Sequence, residues 1–305
     1  MRVENPMTIS PIAPFTPAWN NMVRILFKPF DIKKWFVLGF CAFLANCGEG
    51  GGGNYGNSGS NSQNKTSFRE TIQNVDSWID ANMGLFIGIV VGSVLFFLTI
   101  GLLVTWISSR GKFMLLDGIV KNRAAVKEPW AEFKALGNSL FLLRVIVGFI
   151  SLICLGLIFG IPLALAYPDF QNETFGSGTV SAIIIVLALG IPFTIIGIAF
   201  SFFLSGFVVP TMYVRKVRAT EGLCTAWQHI CRDHLGSALL LFLFMCVLHF
   251  GVIFLVVAVT CLTCCVAALP YISSVIFLPV TVFFVCYFLC YIEQFGDDWK
   301  FFEVE

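Results

Sequence analysis

Three cysteines, Cys261, Cys264 and Cys265, fall on one helical face, a spacing at which thiolates could hold a soft metal or a cluster. The set stops at three. The imidazole of His249 is 12 residues away, about 18 Å along a helix, and cannot close a tetrahedral site with them. The expected role of these thiols is that of small apolar side chains, and no metal or other cofactor is predicted. His249 itself stands among Leu248, Phe250, Val252 and Phe254, with no charge partner nearby in sequence. A lone neutral imidazole in such surroundings is expected to bond a neighbouring carbonyl; in a transporter it would be the pathway candidate. No carboxylate pair, Ser-His-Asp set or phosphate-cradling glycine loop accompanies it, so the chain is not predicted to be an enzyme.

Two further motifs carry a chemical meaning beside a plain one. Leu44, Ala45, Asn46 and Cys47 resemble a lipoprotein processing box, but Asn46 stands where Gly, Ala or Ser is expected, and the same residues serve as the end of a short span. The Gly-Ile-Pro triplets at 160–162 and 190–192, with Pro210 and Pro279, interrupt helical ladders, as broken helices around a transporter cavity do. Kinked helices whose freed carbonyls are satisfied by neighbours give the same pattern, and the two triplets do not sit at corresponding depths.

The elements that would position these residues are membrane helices. Of the 305 residues, 57% are hydrophobic and only 12% charged, against about a quarter charged in soluble domains. Together with 33 phenylalanines and several apolar stretches longer than a helix needs to cross a bilayer, this excludes a disordered chain, a nucleic-acid binder and a compact soluble enzyme. Five clear spans are predicted at 83–107, 139–166, 180–209, 237–267 and 271–292. A sixth, 35–47, reaches only about 24 Å even when extended back to Ile32, and crosses only with local thinning and with snorkelling Lys33 and Lys34, or else re-enters. The expected fold is therefore all-α, a polytopic integral membrane bundle of about six transmembrane helices. Residues 1–34 form a cytoplasmic N-terminus and 35–305 the membrane domain, in which 48–66, built from Gly, Ser and Asn, is a flexible external loop. Residues 67–80 carry helical spacing and a capping box, as a short surface helix would.

The distribution of basic residues gives the orientation. Seventeen Lys and Arg fall in 1–34, 110–144, 215–232 and the C-terminal tail, and two, Lys65 and Arg69, in the opposite loops. This places both termini in the cytoplasm with six crossings.

Each cytoplasmic segment holds an amphipathic stretch centred on a tryptophan: Trp19, Trp130 and Trp227. The apolar positions recur at helical spacing beside basic residues, so these stretches are predicted to lie in the inner headgroup plane with the tryptophans, Lys33 and Lys34 as anchors. An ingoing span, a tryptophan helix and an outgoing span occur twice, and the last span with the first helix and span makes a third copy. One reading is a pseudo-threefold repeat of helical hairpins; the other is that polytopic proteins often carry such interfacial helices.

The segments KWFVLGFCAFLANCGEGGGG, RGKFMLLDGIVKNRAAVKEPW, FVVPTMYVRKVR and CLTCCVAALPYISSVIFLPVTVFFVCYFLCYIEQF resemble a family of uncharacterised bacterial multi-span membrane proteins. That family is distantly similar to the membrane domain attached to some glycerophosphodiester phosphodiesterases. The resemblance implies a bacterial inner membrane and no established activity. It carries over no phosphodiesterase residue, because the catalytic domain of those enzymes is soluble and absent here.

The expected function is that of a non-enzymatic membrane protein that organises or senses the bilayer or binds a partner. The lipid bilayer is its expected partner, a protein partner is left open, and nucleic acid is excluded; the alternative is a transporter or channel for a small or amphiphilic solute. The topology is tested by thiol labelling of single cysteines introduced at residues 60 and 300. Labelling from opposite sides is expected, and labelling from one side would overturn six crossings.

Overall fold

The computed structural model describes residues 9–47, 81–171, 176–232, 234–263 and 269–302. The loop expected at 48–66, the surface helix expected at 67–80, and Cys264 and Cys265 lie outside the described residues. Every regular element among the described residues is helical.

In chain order these are α1 (Phe15–Phe27), α2 (Ile32–Asn46), α3 (Met83–Val120), α4 (Lys127–Glu132), α5 (Lys134–Gln171) and α6 (Ser177–Phe203). A π-helical turn, Leu204–Val208, joins α6 to α7 (Val209–Arg215). Then follow α8 (Ala219–Ala226), running into a second π turn at Trp227–Arg232, α9 (Leu235–Leu262), α10 (Pro270–Ile276) and α11 (Leu278–Ile292). Among the described residues five helical runs are long and apolar enough to cross a membrane: Met83–Val120, Lys134–Asp169, Ser177–Arg215, Leu235–Leu262 and Leu278–Phe295. At 15 residues, α2 rises about 22 Å and is not among them.

The long helices live in two environments. From Met83 to Leu103 the large side chains of α3 are exposed, whereas Ser108 to Ile119 are all buried, including Ser109, Arg110, Lys112 and Asp117. In α5 most large side chains from Leu142 to Tyr167 are exposed, as are those from Val180 to Ile198 in the α6–α7 run, which is buried from Phe207 to Met212. Most of these apolar faces are solvated by lipid. The main core forms at the other end, and α5 and α6 also pack on each other at their outer ends, where Ile158, Ala166 and Ala182 are buried and Asp169 Oδ2 accepts from Thr179 N at 2.7 Å.

Close helix contact in that core depends on small residues. α2 runs antiparallel to the buried half of α3, with Ser108 Oγ donating to Ala45 O at 2.7 Å. A Cβ on Gly111 would lie 2.6 Å from Ala45 N, and one on Gly118 would meet the Leu38 side chain. α2 thus lies beside the polar-bearing half of α3 and not beside the apolar run 83–107. Its other flank meets α10, where Gly39 faces Val275 and Tyr271 packs edge-on against Phe40 and Phe43.

The last expected span, 271–292, is two helices that meet at Phe277. Pro279 has no N–H to return to Val275 O four residues back, so the ladder opens there. Trp35 Nε1 donates to that carbonyl at 3.0 Å and satisfies it from α2. The break and its cap unite opposite ends of the chain, and α1 packs on α11 beside them through Phe15 and Trp19 on Phe283.

Replacing Gly111 by Ala forces the α2 backbone away. Gly111→Ala is expected to destabilise the protein in detergent by about 1–3 kcal/mol. Gly101→Ala, on the exposed half of the same helix with open space around it, should be neutral or stabilising by up to about 1 kcal/mol. Equal thermal midpoints for the two variants would show that the α2–α3 contact is not close.

Candidate functional site

The polar groups gather where the lipid-facing runs end. Asp117, on the last turns of α3, is fully buried. Its Oδ2 accepts from Arg123 Nε at 3.0 Å and Nη2 at 2.8 Å, its Oδ1 from Tyr213 Oη at 3.0 Å, and Lys121 Nζ lies 2.7 Å from Oδ1. The helix places Lys121 one turn beyond Asp117, and Asn122, with φ +51°, turns the chain back so that Arg123 returns to the same carboxylate. Arg123 also pairs with Glu128 at 2.8 Å, and Glu132 lies 3.7 Å from Lys121 and 3.8 Å from Lys216. The hydrogen bond to Asp117 holds the Arg123 guanidinium above its ordinary range. Two basic groups and a phenol occupy the carboxylate, which is closed to solvent and ties α3 to α7.

One turn before the core begins, Trp106 and Trp130 stand edge-on with centroids 5.8 Å apart. The Arg110 guanidinium lies 4.3 Å from the Trp106 centroid and 5.0 Å from that of Trp130, and Nη2 donates to Asn138 Oδ1 at 3.0 Å. Its buried Nε has no hydrogen-bond partner among the described residues, and the ring faces attract the guanidinium. Arg144 donates to Ser108 Oγ at 3.2 Å. On another side of α3, Lys112 bonds Ser205 at the π turn, beside a cavity of about 130 Å³ that Asn46, Thr281 and Phe288 also line.

The residues singled out in the sequence do not converge. Trp19 and Trp227 are 52% and 53% exposed, packing edge-on against Phe283 and Phe203. Trp130 is half-buried in the Arg110 sandwich. Its helix is only six residues long, and the third tryptophan stands on a π turn, so of the three expected amphipathic helices only α1 is a regular helix of three turns or more. Lys33 is exposed, and its backbone N–H is capped by Asp31 Oδ1 at 2.9 Å. Lys34 reaches Ile25 O and Asn122 Oδ1, joining the ends of α1 and α3. His249 Nδ1 lies 2.8 Å from Met245 O, with the ring stacked 4.2 Å from Phe284. α5 and α6 stay helical through Pro162 and Pro192, and Ile161 and Ile191 are exposed. Among the described residues no group of three or more His, Cys, Asp and Glu side chains is arranged to hold a metal.

Asp117 was missed in the sequence because the predicted span ended at 107. The signal was present: one acid in the run Phe113–Val120, with a lysine four residues on and an arginine six residues on. The Arg110 sandwich had no comparable signal, since Asn138 and Trp130 reach it only through the fold.

The chain matches a family of unknown function (DUF7544) over residues 9–295, and it belongs to that family. No curated protein and no solved structure matches it.

Asp117→Asn keeps the shape of the side chain but leaves Arg123 and Lys121 without their counter-charge. It is expected to cost about 3–5 kcal/mol, and Tyr213→Phe about 1.5–3 kcal/mol, read as shifts in thermal unfolding of the detergent-solubilised protein. An unchanged midpoint for Asp117→Asn would show that the network does not hold α3 to α7.

Proposed function

We propose that the chain is a non-enzymatic integral membrane protein of a bacterial inner membrane, organising or sensing the bilayer or binding a partner there. The observation that carries this reading is the separation of its two surfaces. The far halves of α3, α5, α6 and α9 expose most of their large apolar side chains, α5 and α6 packing only on each other there, while the buried ionic network, the tryptophan sandwich and the ends of α1 and α2 lie together at one end. Lys and Arg concentrate at that same end, so it faces the cytoplasm and both termini lie there.

Six crossings are the reading of the charge distribution alone; α2, the sixth, runs from the turn where Lys34 meets Asn122 to Ser108, beside the polar-bearing half of α3 and not beside its apolar run. The hairpins α3–α4–α5, α6–α7–α8–α9 and α10–α11 with α1–α2 are read as a pseudo-threefold repeat. Two features support it: α1–α2 packs against α10–α11, and Gly111 and Gly206 each admit a neighbour, Ala45 in one case and the Phe288 ring in the other. The distant resemblance to the membrane domain of glycerophosphodiester phosphodiesterases adds no catalytic group.

Transport of a small or amphiphilic solute is the second reading, favoured by the cavity beside Lys112 and Ser205. At about 130 Å³ that cavity is smaller than the few hundred Å³ of an ordinary ligand pocket.

Interfacial anchoring is tested with single-tryptophan variants in bilayers brominated at different acyl depths. Trp19 and Trp227 are expected to be quenched by shallow labels, and Trp130, enclosed by Arg110 and Trp106, is not. Absence of quenching at Trp19 and Trp227 would refute the anchoring.

A further inference from the structure

We infer that the cavity between the ends of α1 and α3 is a binding site for a phosphate group. Its volume is about 600 Å³, and it is lined by Arg24 and Lys28 at the end of α1, by Val120, Lys121 and Asn122 at the end of α3, and by Phe301 and Phe302 of the C-terminal tail. Its walls are fixed by other contacts. Lys34 ties Ile25 to Asn122, and Glu293 Oε1 accepts the backbone N–H groups of Phe301 and Phe302 at 2.9 and 3.0 Å.

Among the described residues the charge in this space is not balanced: Lys121 is engaged by Asp117 and Glu132, but the Arg24 and Lys28 side chains make no ion pair or hydrogen bond there. The nearby carboxylates are committed elsewhere: Asp31 caps α2, Glu293 holds the tail, and Asp117 also binds Arg123. The ends of α1 and α3 contribute about half a negative charge each, less than the two full positive charges of Arg24 and Lys28. A guanidinium and two ammonium groups around one opening suit a phosphate, which accepts from an arginine fork and from lysine point charges together. The phosphate has two sources of the same chemistry. A lipid headgroup would lay its chains over Phe27 and Phe30, which are exposed beside Lys28; a soluble phosphate compound would occupy the cavity alone.

The test uses the full chain in detergent at physiological ionic strength, titrated calorimetrically with inorganic pyrophosphate and, separately, with short-chain phosphatidylglycerol. Saturable binding is expected, weakened at least tenfold by Arg24→Gln with Lys28→Gln and unchanged by Lys33→Gln, a lysine that does not line the cavity. Binding of the lipid alone identifies a headgroup site, and binding of pyrophosphate alone a soluble ligand. Binding of neither, or equal loss in the Lys33 variant, overturns the proposal. If the double variant does not fold, amine acylation of the wild-type protein decides. Pyrophosphate or phosphatidylglycerol should protect Lys28 relative to Lys33 and Lys127, and uniform labelling overturns the site.

Discussion

A carboxylate with no exposure to water must be met by positive charge and hydrogen-bond donors, or the fold that buries it is lost. Asp117 imposes that condition on everything at the polar end of this protein. Its partners come from the turn after α3 and from α7, and through Glu128, Glu132 and Lys216 the network reaches α4 and the start of the next connection. Lys34 extends the same constraint to the first two helices by binding Asn122, the residue whose left-handed backbone returns Arg123 to Asp117. The polar end of the molecule is thus one connected object, although its parts are scattered along the chain.

Above this end the physics changes. Lipid gives helices no hydrophobic reason to associate, and the exposed halves of α3 and α6 accordingly carry glycines such as Gly101 and Gly197 with nothing near them. Below it, glycines on α2, α3, the first π turn and α8 are in contact: Gly39, Gly111, Gly118, Gly206 and Gly222 each face a neighbouring atom at a distance that leaves no room for a methyl group. Whether a glycine can be replaced follows from the helix it faces, as Gly178 shows at the outer end of α6, where a Cβ would meet Leu165 O of α5.

That contrast also explains how much the sequence disclosed. Hydropathy sums over many residues, so the long helices were legible to within a few positions at their outer ends. The inner end of α3 was not, because Ser108–Val120, holding an Arg, a Lys and an Asp, looks like a loop flank until the core that covers it is known. Pro279 was visible as a breaker, but the apolar run around it is unbroken, and only Trp35 reveals that the freed carbonyl has a partner and the helix a true joint. The tryptophans show the limit most clearly. Periodicity put Trp19, Trp130 and Trp227 in one class, whereas Arg110, brought in from α3, draws Trp130 inward and leaves the other two at the surface. The basic cavity had no sequence signal, since Arg24 and Lys121 are separated by α2 and all of α3.

The capped joint at Pro279 has a consequence for biogenesis. α1 and α2 come before α3 in the chain, yet apart from the face of α2 that packs on α3 the surfaces they bury belong to α10 and α11: Val275 and Tyr271 for α2, Phe283, Tyr287 and Cys290 for α1 and the residues just before it. During synthesis α1 and the second flank of α2 therefore wait, with their aromatic faces uncovered, until α10 and α11 have been made. A chain truncated before α10 would keep the contact of α2 with α3 but lack the surface on which α1 and the second flank of α2 close.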